Sequence, residues 1–134
     1  MPKFSESSKR EIETLHPDLR LVLNVAIKIV DFKVIEGARS EERQKKLLME
    51  GKTKTMNSKH LTKDKWGKPL SEAVDLAPYP VDWGEAARFY FLAGVIIAVG
   101  NLFGIHIRYG GDWDGDHMFD EEKFKDLGHF ELVT

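Results

Sequence analysis

A chain of 134 residues is long enough to bury a hydrophobic core without covalent staples, and a single domain over residues 1–134 is expected. Hydrophobic content of 42%, charged content of 31% and a net charge of -2 leave no broad basic surface, so no nucleic-acid partner is expected. There is no cysteine, which excludes disulfides and thiolate metal sites and leaves only nitrogen and oxygen ligands for any bound metal.

The polar opening, Met1-Pro2-Lys3-Phe4-Ser5-Glu6, lacks the apolar run of a signal peptide. Ser5 or Ser7 can cap a short first helix whose glutamates suit the first turn. Pro17 fits the first turn of a second helix, in which Leu19, Val22, Val25, Ala26 and Ile29 recur at helical spacing, with His16 read as solvated beside it. Residues 32–36 form a strand ending at Gly37. Ser40 then caps a helix from Glu41 to Glu50 that Gly51 stops. Residues 52–59 are a basic, polar loop, and residues 73–77 a strand broken off by Pro78 and Pro80.

Asp82 is placed to cap a long apolar helix. The run from Phe89 to Ile105 contains Asn101 and three glycines and falls short of the ~20 apolar residues a bilayer span needs, so it reads as a buried helix across a sheet, without stable membrane insertion. Residues 105–109 form another strand, with His106 and Arg108 on its polar parity. A Gly- and Asp-rich loop, a helical turn near residues 121–125 and a last strand over residues 128–133 complete the chain. This order predicts an α+β fold, a small antiparallel sheet covered on one face by helices.

Two of these strands carry metal-ligand chemistry. In residues 73–77, alternation sends Val74 and Leu76 to one face and Asp75 to the other; in the last strand Phe130 and Leu132 face the core while His129 and Glu131 share the polar side. If both strands share one sheet, Asp75 and His129 project from its open face, and His60, just ahead of the first strand, can complete the set. Two histidines, one carboxylate and an open position describe a catalytic zinc site better than a structural one.

The segments Glu36-Gly37-Ala38-Arg39-Ser40, Gln44, Gly51-Lys52-Thr53, Asn57-Ser58-Lys59-His60-Leu61-Thr62, Glu72-Ala73-Val74-Asp75-Leu76-Ala77-Pro78 and Gly128-His129-Phe130-Glu131-Leu132 together resemble the zinc peptidases that cut peptidoglycan stem peptides. That group comprises D-alanyl-D-alanine carboxypeptidases and the L-alanyl-D-glutamate endopeptidases used as bacteriophage endolysins, and the resemblance spans essentially the whole chain. It implies the compact α+β fold of Hedgehog and DD-peptidase type. It also implies Zn2+ on His60, Asp75 and His129, Asp126 as catalytic base, Arg39 aimed at the substrate carbonyl or carboxylate, and Ser58 at the substrate. The small size and the lack of a signal peptide resemble the endolysin branch. They imply a monomer made in the host cytoplasm that reaches the cell wall after holin-type release.

Two departures stand out. The segment between His60 and Asp75 is lengthened by residues 63–70, whose Gly and Pro predict a surface excursion; Trp66 there either forms a lip of the substrate cleft or packs on a neighbouring surface. Several relatives use glutamate as base where this chain has Asp126, one methylene shorter, and Glu131 competes for that role because it shares the face of His129. The acidic stretch with Asp112, Asp114, Asp116 and Asp120 alternates like a calcium loop, but His117 and Lys123 occupy the positions of its glycine and bidentate glutamate, so a solvated loop is expected and weak calcium binding stays open. The expected activity is hydrolysis of the L-alanyl-D-glutamate bond of peptidoglycan stems, with a D-alanyl-D-alanine carboxypeptidase or dipeptidase, or a non-catalytic zinc-dependent wall-binding module, as alternatives.

Overall fold

The computed structural model describes residues 2–53, 56, 58–113, 115 and 126–133. The expected turn near residues 121–125 and the acidic positions Asp114, Asp116 and Asp120 lie outside them.

Helix α1 spans Glu6–Ile12, with Ser5 as cap: its Oγ accepts the Ser8 N–H at 3.2 Å. Helix α2 spans Pro17–Ala26. His16 is not simply solvated as expected, because its Nδ1 accepts the Asp18 N–H at 3.0 Å and so ties down one of the orphan donors of that helix. Strand β1, Phe32–Glu36, is followed by α3, Glu41–Met49, capped by Ser40 and ended at Gly51, whose φ of 75° is cheap only for glycine. A short 3-10 turn over Lys59–Leu61 precedes β2, Ala73–Pro78.

Helix α4, Ala86–Leu102, starts at Glu85 without a side-chain cap. Asp82 does not cap it, as its carboxylate instead accepts the Gly84 N–H at 2.9 Å and closes a turn ahead of the helix. Nor is the helix buried all round: Leu92, Ala93, Ile96 and Val99 are sealed in the core, whereas Phe91 is 64% and Leu102 82% exposed. An apolar composition on every side conceals which face packs. Strands β3, Ile107–Tyr109, and β4, His129–Leu132, are shorter than the sequence suggests.

The four strands form one antiparallel sheet in the order β1-β2-β4-β3. Val34, Val74, Leu76, Phe130 and Leu132 point down onto α2 and α4, where Leu19, Val22, Leu23 and Ala26 meet Leu92 and Ile96 in one hydrophobic cluster. Each such side chain contributes roughly 1.5–3 kcal/mol on full burial. That packing fixes strand parity, and parity decides what the opposite face displays. A bulge in β1 between Val34 and Glu36 brings Glu36, rather than Ile35, opposite Asp75, so a second carboxylate joins the open face.

Candidate active site

Asp75 and His129 are direct cross-strand partners in the β2–β4 ladder, so sheet register alone brings them together. His60 arrives from the 3-10 turn, which Ser58 caps by accepting the His60 N–H at 3.2 Å. Its ring is 1% exposed and stands edge-on to that of His129, with centroids 5.2 Å apart. One nitrogen or oxygen from each of His60, Asp75 and His129 lies within 4.8 Å of the others, a group that could hold a metal ion.

What recommends the group is how the outward atom of each member is held. His60 Nδ1 lies 2.6 Å from the Gly37 carbonyl, which only accepts, so Nδ1 carries the proton and Nε2 presents a lone pair. That buried Nε2 has no hydrogen-bond partner among the described residues and stands 3.5 Å from Asp75 Oδ1. Asp75 Oδ2 accepts from Arg39 Nη2 at 3.0 Å, leaving Oδ1 turned inward. His129 Nε2 meets Glu131 Oε1 at 2.9 Å, and its Nδ1 faces Asp75 Oδ1 at 3.3 Å. A buried lone pair without a donor costs about 1–3 kcal/mol, and a cation at the focus of the three atoms removes that cost. The residues present fit such an ion: two imidazoles and a carboxylate are the donor set of a three-ligand site with an open position.

The electrostatics follow. Burial works to raise the Asp75 carboxyl, but the hydrogen bond to His129 and the electrostatic influence of the neighbouring His60 hold it well below the ordinary carboxylate range. Burial works to lower His129, yet Asp75 and Glu131 together push it up to about 9. Glu131 is pulled down to about 2 against its own burial, by His129 and by Arg108.

Asp126 sits at the edge of the same cavity, which holds about 590 Å³ and is also lined by Arg39, Ser58, Arg108 and Trp113. The loop that carries it is laced to β3 and β4, for the Asp126 N–H donates to the Gly110 carbonyl at 2.9 Å and the His129 N–H to the Asp126 carbonyl at 3.1 Å. The residue as a whole is exposed, yet its surroundings desolvate the carboxyl and, with the charge of Asp75, push it above the ordinary carboxylate value. A raised carboxylate beside the metal group is a better proton acceptor than Glu131, whose two oxygens are held by His129 and Arg108.

Arg39 lines the cavity but reaches three protein acceptors: Glu36, Gln44 Oε1 at 3.0 Å and Asp75 Oδ2. It orients Asp75, a contact not anticipated from the sequence. Ser58 lines the cavity with its hydroxyl committed to the His60 backbone. Trp66 does not line it. Residues 63–70 fold into a small hairpin in which Asp64 accepts the N–H groups of Trp66 and Lys68, at 2.8 and 2.9 Å, and Gly67 turns at φ 81°. The indole is 78% exposed with Lys65 Nζ over its ring, so it is not packed on a neighbouring surface.

Sequence reasoning assigned no role to Glu36, Gln44, Lys59 or Trp113. Glu36 and Gln44 stand in the quoted motifs at offsets of three and five from Arg39, a usable signal; Trp113, whose ring lies 5.4 Å from that of His129, gave none.

A sequence model of the phage L-alanyl-D-glutamate peptidase family matches residues 1–133. The chain is similar to the L-alanyl-D-glutamate peptidase of Escherichia phage T5, 28% identical over an alignment of 142 residues that covers 98% of each protein. It is also similar in structure to the Serratia marcescens L-Ala D-Glu endopeptidase ChiX, with a TM-score of 0.78 and 29% identity over 99% of this chain and 90% of that one.

Proposed function

Because the chain belongs to the phage L-alanyl-D-glutamate peptidase family, we propose that it is an endolysin peptidase whose chemistry is run by zinc on His60, Asp75 and His129, with Asp126 as base. The observation that carries the reading is the three-way anchoring by Gly37, Arg39 and Glu131, which leaves three donor atoms facing one point. Zinc at that point supplies Lewis acidity, which makes water a nucleophile near neutral pH and polarises a peptide carbonyl.

The protein's own groups do the rest. Asp126, raised and at the cavity edge, takes the proton of the attacking water and returns it to the leaving D-glutamyl amine. Arg39 keeps Asp75 oriented, and its place in the cavity wall adds positive charge where the carbonyl oxygen becomes negative. Lys52, Lys59 and Arg108 line the same cavity and suit the carboxylates of a stem peptide. No helix among the described residues is long and apolar enough to cross a membrane, and the reading supposes that the protein acts on the wall after holin-type release.

Purified muropeptides incubated with zinc-loaded protein, followed by mass spectrometry of the products, test the reading. New D-glutamate N-termini that disappear after chelation support it. Release of terminal D-alanine instead would make the protein a carboxypeptidase, and binding without cleavage a wall-binding module.

A further inference from the structure

Glu131 anchors His129 in the zinc reading but takes no part in the proton transfers assigned above. We propose that Glu131 is a positioning residue for His129, fixing which ring nitrogen faces the metal, and that Arg108 and Lys59 clamp it from the cavity wall. The inference rests on the zinc reading and names a residue pair that tunes it.

An imidazole can present either nitrogen to a metal, and a buried one must be told which. Glu131 is two residues beyond His129 on β4, hence on the same face, and both are under 10% exposed. Its Oε1 lies 2.9 Å from His129 Nε2. A carboxylate only accepts, so Nε2 keeps its proton; a metal that displaces the Nδ1 proton from its contact with Asp75 Oδ1 then meets the Nδ1 lone pair, at the point where His60 Nε2 and Asp75 Oδ1 converge. The negative charge behind the ring also makes Nδ1 a stronger donor.

The second oxygen is claimed from the other side. Arg108 is the cross-strand partner of Glu131, and its Nη2 donates to Oε2 at 2.7 Å. Lys59 Nζ stands 3.7 Å from the same oxygen and donates to the Leu132 carbonyl, which holds the ammonium in place. With Oε1 on the imidazole and Oε2 on two cations, Glu131 is oriented as a fixed prop rather than as a proton shuttle. Arg108 and Lys59 also line the cavity, so the same cations that suit an anionic stem hold the prop in place.

The test titrates metal-stripped wild type, Glu131→Gln, Glu131→Ala and Arg108→Gln with zinc against a competing chelator, and records the His129 ring nitrogens of the zinc-loaded proteins by NMR. Glu131→Ala should weaken zinc binding about 10–100-fold. It should also expose the Nε2 proton to fast exchange. Glu131→Gln, whose amide oxygen still accepts that proton, should keep the tautomer and weaken binding less, and Arg108→Gln should shift affinity the same way. Wild-type affinity and an unchanged His129 signature in Glu131→Ala overturn the inference while leaving the zinc reading intact. If Glu131→Ala does not fold, wild-type affinity in both remaining variants overturns it equally. A wild-type protein that takes up no zinc overturns the zinc reading and this inference together.

Discussion

His129 lies directly opposite Asp75 in the β2–β4 ladder, with its Nδ1 3.3 Å from Asp75 Oδ1, so two of the three inward atoms are brought together by sheet register. The third, His60 Nε2, depends on a turn held from outside the sheet by the Gly37 carbonyl. Alanine at any of the three should lower bound zinc to well below one equivalent and abolish wall lysis. Metal analysis after dialysis is the check, and full occupancy in His129→Ala would refute the ligand set.

Asp126 and Glu131 separate by environment. Glu131 is held down to about 2 by His129 and Arg108, whereas Asp126 is pushed upward at the cavity edge. Asp126→Ala should therefore keep its zinc and its melting temperature but lose hydrolysis by about 100-fold or more, the size of a general-base contribution. Hydrolysis that survives this change would mean the base has been misassigned.

Gly110 lies under both halves of the site. A Cβ built there would overlap the Asp126 carbonyl and come within 3.0 Å of the His129 Cβ, and neither neighbour can yield without moving the loop or the strand. Gly110→Ala should cost about 1–3 kcal/mol in stability, the scale of an overpacked site. It should also reduce kcat more than KM, because what moves is the base relative to the metal group. Thermal melts with steady-state kinetics decide it, and a variant with wild-type values for both would show that the contact is slack.

The metal-free protein should have a stability maximum on the mildly acid side. His129 is raised in the folded state from an unfolded value of ~6.5 to about 9, so its contribution is complete below the first value and lost as pH climbs through the second. Asp75 and Glu131 are lowered, so theirs is present above an unfolded ~4 and lost as pH falls through the folded values, about 2 for Glu131. Melting of chelator-treated protein should fall from pH 6 to pH 9.5, and more steeply than melting of zinc-loaded protein, whose ligating histidines are neutral. Equal melting temperatures of the stripped protein at pH 6 and pH 9.5 would contradict the charge assignment.

The parts legible in the sequence are those that obey a short period. Alternation in β2 and β4 put Asp75 and His129 on one face, and Ser5, Ser40 and Gly51 marked their helix ends. The prop under each donor atom was illegible. Gly37 offers a backbone carbonyl, Arg39 reaches Asp75 across 36 residues, and the Glu36 contact needs a bulge that no residue pattern announces. Asp82 departs from expectation because a carboxylate near a helix start can serve either the helix or its own turn, and here it accepts the Gly84 N–H in the turn.

The orientation of Trp66 is likewise set by contacts that no residue period announces. Chain connectivity requires the hairpin over residues 63–70 to begin and end near the site, since Thr62 and Glu72 at its feet both line the cavity. Connectivity does not say which way the tip points. The Asp64 turn and Gly67 leave the indole exposed and outside the cavity lining, with Lys65 Nζ 4.5 Å from its ring. An exposed side chain with one solvated neighbour adds little to stability, so Trp66→Ala should change unfolding free energy by no more than about 0.5 kcal/mol. Zinc content, kcat and KM on a soluble muropeptide should likewise match wild type, because no substrate confined to the cavity meets the ring. A rise in KM with normal zinc content would show that the hairpin folds over bound substrate and would restore Trp66 to the cleft.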